Sequence, residues 1–514
     1  MSRRRSGLRK GMVVVGVLAL VVPLLLVWAT PVSAATISVC ASGCDYTTIQ
    51  AAVNAANGGD VIEVYPGTYD ESVSLSAMDP DGDLTLVTVN NAGNPTPGTV
   101  TVEYHGVEAE FYTTPPFNGD LTIDGFIVHS VFPGIEVTVA TPGGESDVVI
   151  QNVTATGTQS DGIRVSADGD VTISNCIGSD NEYSGIHVNG AGGDVIITDC
   201  TANGNGDHGV FVILPSAAST EAGVAAIDGL GGAINITNST ANDNEEHGFL
   251  VVGSAFTGLQ ADGSGGNVTI TNCTAKGNGE SGFDPRRIPG QLTIQDCLIQ
   301  DNEEAVDLNE MSMATGVLVN GNIICGNDCG IANPVSQLNA EGNWWGCAGG
   351  PEAAGCDPIC QTDSIAVAFT PWISEVSASA TVDPVNAGEP TVVKFQFHGG
   401  PPTVYLGEGP GDLRGPAPFT VSTDNGTLNG NGATVDEFIN APNGNLQVTL
   451  VPDTAGTATV TVSGPCGLSD LEGATAVVGV VAAAEFVPEP GSVLLLGSGL
   501  MGLAGYATLR LRKR

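Results

Sequence analysis

Side chains that could take a proton from a substrate are scarce in this 514-residue sequence. The densest group lies in the segment FDPRRIPG, where Arg286 and Arg287 follow Asp284, and Lys276 lies shortly before them. A base beside a carboxylate suits β-elimination of an acidic polysaccharide, because the acid group of the substrate must be neutralised while a proton is removed. The alternative interpretation is a pair of surface arginines in a turn, with no catalytic role.

Carboxylates recur at the turns that follow short apolar segments. Their oxygens are the ligands that Ca²⁺ prefers in proteins. If the turns stack at the spacing of paired strands, about 4.8 Å, neighbouring carboxylates repel one another unless cations bridge them. Calcium is therefore a candidate cofactor, and a solvated acidic face that binds no ion is the alternative. The candidate ligands are Asp180, Glu182, Asp207, Asp243, Glu245, Asp301 and Glu303.

An internal repeat must position these residues. The segments VVIQNV, VTISNC, VIITDC, INITNS, VTITNC, LTIQDC and VLVNGN begin at residues 148, 171, 195, 234, 268, 292 and 317. Each is an alternating strand followed by a turn rich in Asn, Asp and Gly and then by a second short apolar strand. One such unit cannot bury its own apolar face, whereas stacked units can. The pattern predicts an all-β solenoid, a parallel β-helix, over residues 35–372.

Two columns of side chains should run along this solenoid. One column contains Cys176, Cys200, Cys273 and Cys297, which have the size of buried packing thiols. The other consists of turn asparagines, whose amides can bond the amides one repeat above and below. We interpret this second column as a structural ladder, with ligand binding as the alternative. Its members are Asn181, Asn205, Asn244, Asn278, Asn302 and Asn327.

Two further segments resemble a known superfamily. The repeat itself resembles the pectin-lyase-like right-handed parallel β-helices. Two other segments are similar to the same superfamily: YTTIQAAVNAANGGDVIEVYPGTYDESV, which begins at Tyr46, and EGNWWGCAGGP at 341–351. The resemblance implies a helix from Tyr46 to Ala56 that covers the open end of the solenoid. It also implies that Trp344 and Trp345 plug the last repeat. This fold occurs in lyases, hydrolases, esterases, epimerases and proteins without activity, so the fold alone does not determine which reaction, if any, the protein catalyses.

The motifs of the polygalacturonase branch are absent from this chain. That branch uses Asn-Thr-Asp, Asp-Asp, Gly-His-Gly and Arg-Ile-Lys segments, and here His208 and His247, each followed by Gly, are similar to part of one of them. The two histidines occupy equivalent turn positions in successive repeats. We therefore predict that both lie on the exposed surface of a turn.

The pattern changes after the solenoid. Residues 375–482 contain short alternating strands separated by Gly, Pro and Asn, which predicts a β-sandwich. The segment TAGTATVTVSG resembles bacterial Ig-like modules of the invasin type, and this implies a stalk.

The chain contains 12 cysteines, which suits an oxidising compartment. Cys40 and Cys44 form one close pair in the sequence, Cys325 and Cys329 form a second, and Cys466 is either free or paired outside the sandwich. A further cluster contains Cys347, Cys356 and Cys360. The sequence does not determine which cysteines are paired.

Both ends of the chain are typical of sorting segments. Residues 1–34 contain a basic, then an apolar, then a small-residue part, which predicts a secretory signal peptide, with an uncleaved anchor as the alternative. Residues 487–514 begin with Val487, Pro488, Glu489 and Pro490, continue as an uncharged stretch that can span a membrane, and end in a basic tail. This end resembles the PEP-CTERM sorting signal, which implies recognition by an exosortase. An ordinary tail anchor is the alternative.

The net charge restricts the partners. Nine of the 15 Lys and Arg lie in residues 1–34 and 491–514, and all 56 Asp and Glu lie in residues 35–490, so this body carries 6 − 56 = −50 charges. A body with this charge repels nucleic acid. We therefore expect no nucleic-acid partner.

Two repeats are enlarged, by the insertions Leu214–Gly232 and Gly253–Gly266. They leave successive repeats after the second strand, so we expect them side by side, where binding sites are common. The leading hypothesis is an exported cell-surface or extracellular-matrix protein that presents its β-helix to a polysaccharide or to a cell-surface partner. Because no complete catalytic set is evident, an enzyme acting on acidic polysaccharide, a lyase or a pectinesterase-like protein, is the alternative.

Overall fold

The structure is a computed structural model that describes residues 34–482 apart from several segments. The segments left out are 76–81, 91, 105–110, 114–116, 118, 131, 140–145, 191, 215–231, 254–265, 312–313, 337, 361–366, 371, 400–418, 438–444, 465 and 467–473. Residues 1–33 of the predicted signal peptide, the predicted sorting signal at 487–514 and nearly all of the two insertions therefore lie outside the described residues. Within the described part of the chain, no helix has the length and apolar character needed to cross a membrane.

Parallel strands form three faces of a solenoid, and each full turn around it is called a coil below. In the described residues the first face is a single sheet of 12 strands. These strands are β1 (Thr36–Val39), β2 (Asp60–Val64), β5 (Leu84–Thr88), β8 (Leu121–Asp124), β11 (Val148–Gln151), β14 (Val171–Ser174), β17 (Val195–Thr198), β19 (Ile234–Thr237), β22 (Val268–Thr271), β25 (Gln291–Gln295), β28 (Gly316–Asn320) and β31 (Leu338–Asn339).

The second face consists of two shorter sheets connected by isolated bridges through Thr201. Its described strands are β3 (Gly67–Asp70), β6 (Val100–Tyr104), β9 (Phe126–Ser130), β12 (Thr154–Thr156), β15 (Ile177–Ser179), β20 (Thr240–Asn242), β23 (Thr274–Lys276), β26 (Leu298–Gln300) and β29 (Ile323–Cys325). The third face, again over the described residues, contains β4 (Val73–Ser74), β7 (Phe111–Tyr112), β10 (Ile135–Val139), β13 (Ile163–Ala167), β16 (Ile186–Asn189), β18 (Val210–Ile213), β21 (Phe249–Val252), β24 (Ser281–Arg286), β27 (Glu304–Asp307) and β30 (Cys329–Ala332).

The sequence repeats pair with one another in register. Val148 lies opposite Val171, and Val171 lies opposite Val195, so the first apolar position of each repeat forms one buried column. Alternate residues point outward, as the period of a strand requires. The prediction of a parallel β-helix is confirmed.

A short helix, α1 (Ile49–Val53), covers the first coil. The Thr48 side chain accepts a hydrogen bond from the Ala51 N–H, and the Glu71 carboxylate accepts the N–H groups of Ile49 and Gln50 at 2.7 and 2.9 Å. The predicted helix from Tyr46 to Ala56 was too long. Tyr46 pairs instead with the end of β1, so the helix begins only at its N-cap, Thr48.

The asparagine column lies at the bend between the second and third faces. The Asn244 Oδ1 accepts both the backbone N–H and the side-chain Nδ2–H of Asn205, at 3.0 and 2.9 Å. The same pair of bonds connects each asparagine to the next, and the last one, Asn327, donates to the Asp357 carboxylate at 2.7 Å. All six asparagines are buried. The ladder fixes this bend, and with it the residues that follow it.

The four solenoid cysteines are buried and unpaired thiols in the described structure, as predicted. The two tryptophans of EGNWWGC separate. Trp345 packs in the solenoid core, whereas Trp344 packs beside Cys325 in a second apolar cluster that includes the sandwich. The expectation that both plug the last coil was wrong for Trp344, because adjacent residues at the end of an extended segment point to opposite sides.

The residues after the solenoid form two mainly antiparallel sheets that share one apolar core. The described strands of one sheet are β32 (Ile373–Ala380), β34 (Thr391–Gly399), β38 (Asn445–Val451) and β36 (Thr427–Leu428). Those of the other are β33 (Val385–Asn386), β40 (Thr475–Val481), β39 (Gly456–Ser463), β35 (Phe419–Thr423) and β37 (Thr434–Glu437). The Phe397 and Phe419 rings, one from each sheet, lie 5.3 Å apart between their centroids.

Four disulfides form in the described residues. Cys40 pairs with Cys44, as their spacing suggested. Cys325 and Cys329 are not partners, because the bend between β29 and β30 separates them. Cys325 pairs with Cys466, outside the sandwich as one alternative held, and Cys329 pairs with Cys360. The fourth disulfide joins Cys347 and Cys356.

Candidate functional site

The bend after the asparagine ladder brings two histidines to the edge of the third face. His208 and His247 occupy equivalent positions one coil apart, because the Gly209 N–H donates to the His247 carbonyl at 3.0 Å. Their rings stack at 5.2 Å between centroids. The prediction of an exposed turn surface was wrong. Both are buried, since Phe211 lies 4.9 Å from the His208 ring and Arg286 reaches within 3.4 Å of His247.

A pocket of about 280 Å³ opens beside His208. It lies where β13, β16 and β18 begin and receives side chains from three successive coils. Aromatic, acidic and basic groups therefore face one small volume. The lining residues are Ser160, Asp161, Arg164, Tyr183, Ser184, His187, Asp207, His208 and Phe211.

Asp161 orients His187 in this pocket. One oxygen of Asp161 accepts the Ser184 N–H at 3.0 Å, and the other lies 3.0 Å from His187 Nδ1. When the ring is neutral, this contact places its proton on Nδ1 and leaves a lone pair on Nε2. The Nε2 atom has no hydrogen-bond partner among the described residues. A carboxylate that holds an imidazole with an unpartnered Nε2 is an arrangement suited to a general base. This Nε2 is itself buried, so a substrate must displace a neighbouring side chain to reach it.

Phe211 supports that imidazole. Residues 164, 187 and 211 lie opposite one another on β13, β16 and β18, on the outer side of the third face. The Phe211 ring stacks on His187 at 4.6 Å between centroids. Arg164 lies on the other side, 4.0 Å from the Asp161 carboxylate.

A second polar group lies two coils further on. Asp284 is fully buried, and the Arg286 guanidinium donates to its Oδ2 through both Nε, at 2.8 Å, and Nη2. His247 Nε2 lies 3.2 Å from the same oxygen. The Ser281 N–H donates to His247 Nδ1 at 3.3 Å, so the proton of the neutral ring lies on Nε2 and points to Asp284.

The surroundings shift the pKa values of these groups in opposite directions. Burial raises the pKa of Asp284, although the bond from Arg286 opposes the shift. Burial and then Arg286 lower the pKa of His247 to about 4. Burial, followed by repulsion from His247, His187 and Arg286, lowers the pKa of His208 to about 3. Both imidazoles are therefore neutral at neutral pH.

The four predicted catalytic residues do not form one site. Asp284 and Arg286 are together, joined by His247. Lys276 ends β23 on the second face, where its Nζ lies 3.9 Å from the Asp301 carboxylate. Arg287 pairs with Glu310. The set proposed for β-elimination is therefore reduced to one carboxyl group and one guanidinium.

The predicted calcium ligands fall into three separate columns. In the first, Asp180, Asp243 and Asp301 alternate with glycines from the coils between them. A Cβ atom on Gly204 would lie 2.7 Å from the Asp180 carboxylate, and one on Gly277 would lie 2.6 Å from that of Asp243. The glycines therefore make room for the carboxylates, which are two coils apart rather than one.

The other two columns differ from each other. Glu182 and Glu245 again alternate with glycines, whereas Asp207 belongs to an unbroken acidic run with Glu246, Glu280 and Glu303. Burial and the neighbouring carboxylates raise the pKa of Asp207. Within the described residues, no three of the seven predicted ligands place one oxygen each within 4.8 Å of one another.

Comparisons with known proteins agree with this architecture. A family model described as a right-handed β-helix region matches residues 117–264. A second, described as a PEP-CTERM protein-sorting motif, matches residues 486–513. The chain is a right-handed parallel β-helix protein with a PEP-CTERM sorting motif. The motif indicates export and sorting to the cell surface.

Several solved structures are similar to this β-helix protein. The A-module of mannuronan C-5 epimerase AlgE6 from Azotobacter vinelandii has 17% identity and a TM-score of 0.38, covering 57% of this chain and 88% of its own. The AlgE4 A-module from the same organism has 16% identity and a TM-score of 0.34, covering 63% and 94%. The periplasmic alginate epimerase AlgG has 13% identity and a TM-score of 0.29, covering 60% and 75%. A search of curated proteins finds no match.

The sequence pattern did not identify Asp161, Tyr183, His187 or Phe211. These residues come from three repeats: Asp161 and Tyr183 occupy different turn positions, whereas His187 and Phe211 share one strand position. The signal was present in the second strand of each repeat, where GIRV, GIHV and GVFV place Arg164, His187 and Phe211 at one outward position. Comparing that position across repeats would have found three of the nine lining residues.

Proposed function

We propose that this exported β-helix protein is processed by an exosortase and binds a polysaccharide in the pocket beside His208. The observation that carries the proposal is the combination of aromatic and charged side chains in that pocket. Tyr183, which is 50% exposed, and Phe211 both line it. Aromatic rings pack against the apolar faces of sugars, while carboxylates and guanidinium groups hydrogen-bond to hydroxyls.

The local charge favours a polysaccharide rich in hydroxyl groups over a polyanion. Asp161 and Asp207 outnumber the single guanidinium of Arg164 in the pocket. The body of the protein is strongly acidic as well, so an anionic polymer would be repelled over a wide area. A neutral glycan meets no such penalty.

Binding is tested by affinity electrophoresis and titration calorimetry with neutral glucans, alginate and polygalacturonate. The variant Tyr183→Ala with Phe211→Ala should lose at least tenfold in affinity for the bound polymer. Ile196→Ala, which removes an outward apolar side chain from the first face, is the matched control and should bind as the natural protein does. Equal binding by both variants would place the site elsewhere.

Sorting is tested separately. Removal of residues 487–514 should release the protein from the cell surface into the medium. Inactivation of the host exosortase should instead leave residues 487–514 on the chain, so that their uncharged stretch holds the protein in the membrane and away from the cell surface. Continued surface retention in both cases would contradict exosortase processing while leaving polysaccharide binding intact.

The orientation of His187 by Asp161 favours a second candidate, an enzyme that removes a proton from an acidic polysaccharide. His187 Nε2 would take the proton from the carbon beside the sugar carboxylate, and Arg164 would neutralise that carboxylate. The glycosidic C–O bond at the next carbon would break to leave a C=C bond, and the departing oxygen would take a proton from water. Incubation with uronate polymers should then yield products with the ultraviolet absorbance of an unsaturated uronate. His187→Gln should abolish this yield, and His129→Gln, a change on an exposed second-face residue, should not. No product from the natural protein would exclude the lyase and leave the binding proposal standing.

A further inference from the structure

The geometry points to a transition-metal site formed by His208, His247 and Glu246. One ligand atom from each lies within 4.8 Å of the other two, and within the described residues no other group of His, Cys, Asp and Glu does this. The three residues come from two successive coils, and both histidines directly follow the asparagine ladder. A rigid bend therefore holds two imidazoles and a carboxylate side by side.

An unpartnered nitrogen faces this group. His208 Nδ1 lies 3.5 Å from the Glu246 carboxylate, within ion-pair range, but it forms no hydrogen bond with any described residue. The His208 side chain is only 10% exposed. A buried nitrogen without a partner costs free energy, and a bound cation would supply the missing interaction.

The ligand set indicates the class of metal. Imidazole nitrogens suit Zn²⁺, Cu²⁺ or Ni²⁺, whereas Ca²⁺ takes oxygen ligands. Two histidines and one carboxylate match the three protein ligands of a zinc site with an open fourth position. Around a tetrahedral ion, ligand atoms are about 3.4 Å apart, so some of the present separations must shorten. The Glu246 side chain is 47% exposed and is free to make that movement.

Neighbouring groups can support the ion. Glu280 Oε2 and Asp284 Oδ2 each lie 3.2 Å from His247 Nε2. Together with Glu246 they offset the two positive charges of the ion, and Arg286 opposes them. If His247 binds through Nε2, its proton moves to Nδ1 and the 3.3 Å bond from Ser281 is lost. Glu280 and Asp284 are then placed around the ion as outer groups or as a fourth ligand.

The test uses the full chain after treatment with chelator. Titration with Zn²⁺ should show one equivalent bound, and Co²⁺ should give the visible absorption of nitrogen and oxygen ligation without the sulfur charge-transfer band that the four buried thiols would produce. Ca²⁺ and Mg²⁺ should bind at least tenfold more weakly at this site. These outcomes do not depend on polysaccharide binding.

Variants identify the ligands. His208→Gln and Glu246→Gln should each weaken Zn²⁺ binding at least tenfold, and the half-exposed position of Glu246 makes its substitution safe for folding. His129→Gln is the matched control and should bind like the natural chain. Unchanged Zn²⁺ binding by Glu246→Gln and His208→Gln, or no binding by the natural chain, would overturn the proposal.

Discussion

At the scale of single residues, burial decides the charge of the two stacked histidines. An unfolded chain has a histidine pKa near 6.5, whereas His208 and His247 in the folded protein have pKa values of about 3 and about 4. Between these limits the unfolded chain binds more protons than the folded one. The stability contributed by the neutral rings is therefore fully present above pH 6.5 and is lost as the pH falls toward the folded values.

Acidification from pH 7 to pH 5 should consequently lower the free energy of unfolding by about 2 kcal/mol for each of these histidines. The double variant His208→Gln, His247→Gln should show a smaller loss. Urea unfolding at both pH values, with chelator present, measures the difference between the two proteins. Equal losses would contradict the assigned pKa values. Titratable groups remote from the two rings cancel when the two proteins are compared. Both proteins also keep the charged and titratable groups around the rings, which are Asp161, Asp207, Glu246, Glu280, Asp284, Arg286 and His187.

Residue chemistry was only partly predictable from the sequence. Asp284 and Arg286 were grouped together because they are close in the sequence. Their partner His247 belongs to the preceding repeat, and its burial depends on the Arg286 side chain that lies against it. Asp161 and His187 likewise meet only through stacking of coils. To predict a contact between repeats, the register of the paired strands must be known. The lengths of the turns alone do not determine this register.

At the scale of elements, the asparagine ladder is the main support of the bend beneath the site. Asn244→Ala should leave the backbone N–H and the Nδ2–H of Asn205 without their acceptor, and Asn278 Oδ1 would keep only the backbone N–H of residue 244. We expect a loss of about 2–4 kcal/mol in the free energy of unfolding, because these groups are buried. Asn189→Ala, on the outward side of β16, is the control and should change the free energy by less than about 0.5 kcal/mol. Similar values for the two variants would mean that the ladder contributes little.

The alternation of aspartate and glycine in one turn column gives a second prediction. Gly277→Ala should be destabilising by about 1–3 kcal/mol, since its Cβ would lie 2.6 Å from the Asp243 carboxylate. In a chain that also carries Asp243→Ala, the same substitution should be less damaging. Thermal unfolding of the four proteins of this cycle measures the coupling between the two positions. Strict additivity would show that the left-handed backbone, and not the contact, disfavours a side chain at Gly277.

The repeats predicted the strands and the ladder correctly because both follow from a regular spacing. The calcium hypothesis treated the acidic turns as one column, and the structure divides them into three. The difference arises because residues one position apart at a bend point in different directions. The glycines between the carboxylates were visible in the sequence. In every second coil a glycine takes the turn position because a side chain there would meet the carboxylate of the neighbouring coil.

At the scale of the whole molecule, the solenoid and the sandwich are joined by side chains as well as by the connecting chain. The Trp344 Nε1–H donates to the Cys466 carbonyl at 3.2 Å, and the same cysteine forms a disulfide with Cys325. The fold of each part was predictable from local patterns. This junction was not, because it pairs residues 141 positions apart and depends on how two separately folded parts meet.

The Cys325–Cys466 disulfide should therefore contribute more to stability than the short one at the first coil. A cross-link over 141 residues is worth about 5 kcal/mol in the chain-entropy model. The Cys40–Cys44 link closes a separation of 4 residues and is worth about 2 kcal/mol. We expect Cys325→Ser with Cys466→Ser to lower the unfolding midpoint of the sandwich and to increase the water exposure of Trp344, seen as a red shift in its fluorescence. Cys40→Ser with Cys44→Ser is the control. If that pair of substitutions lowers stability as much as the other, or if Trp344 emission is unchanged, the junction does not hold the two parts together.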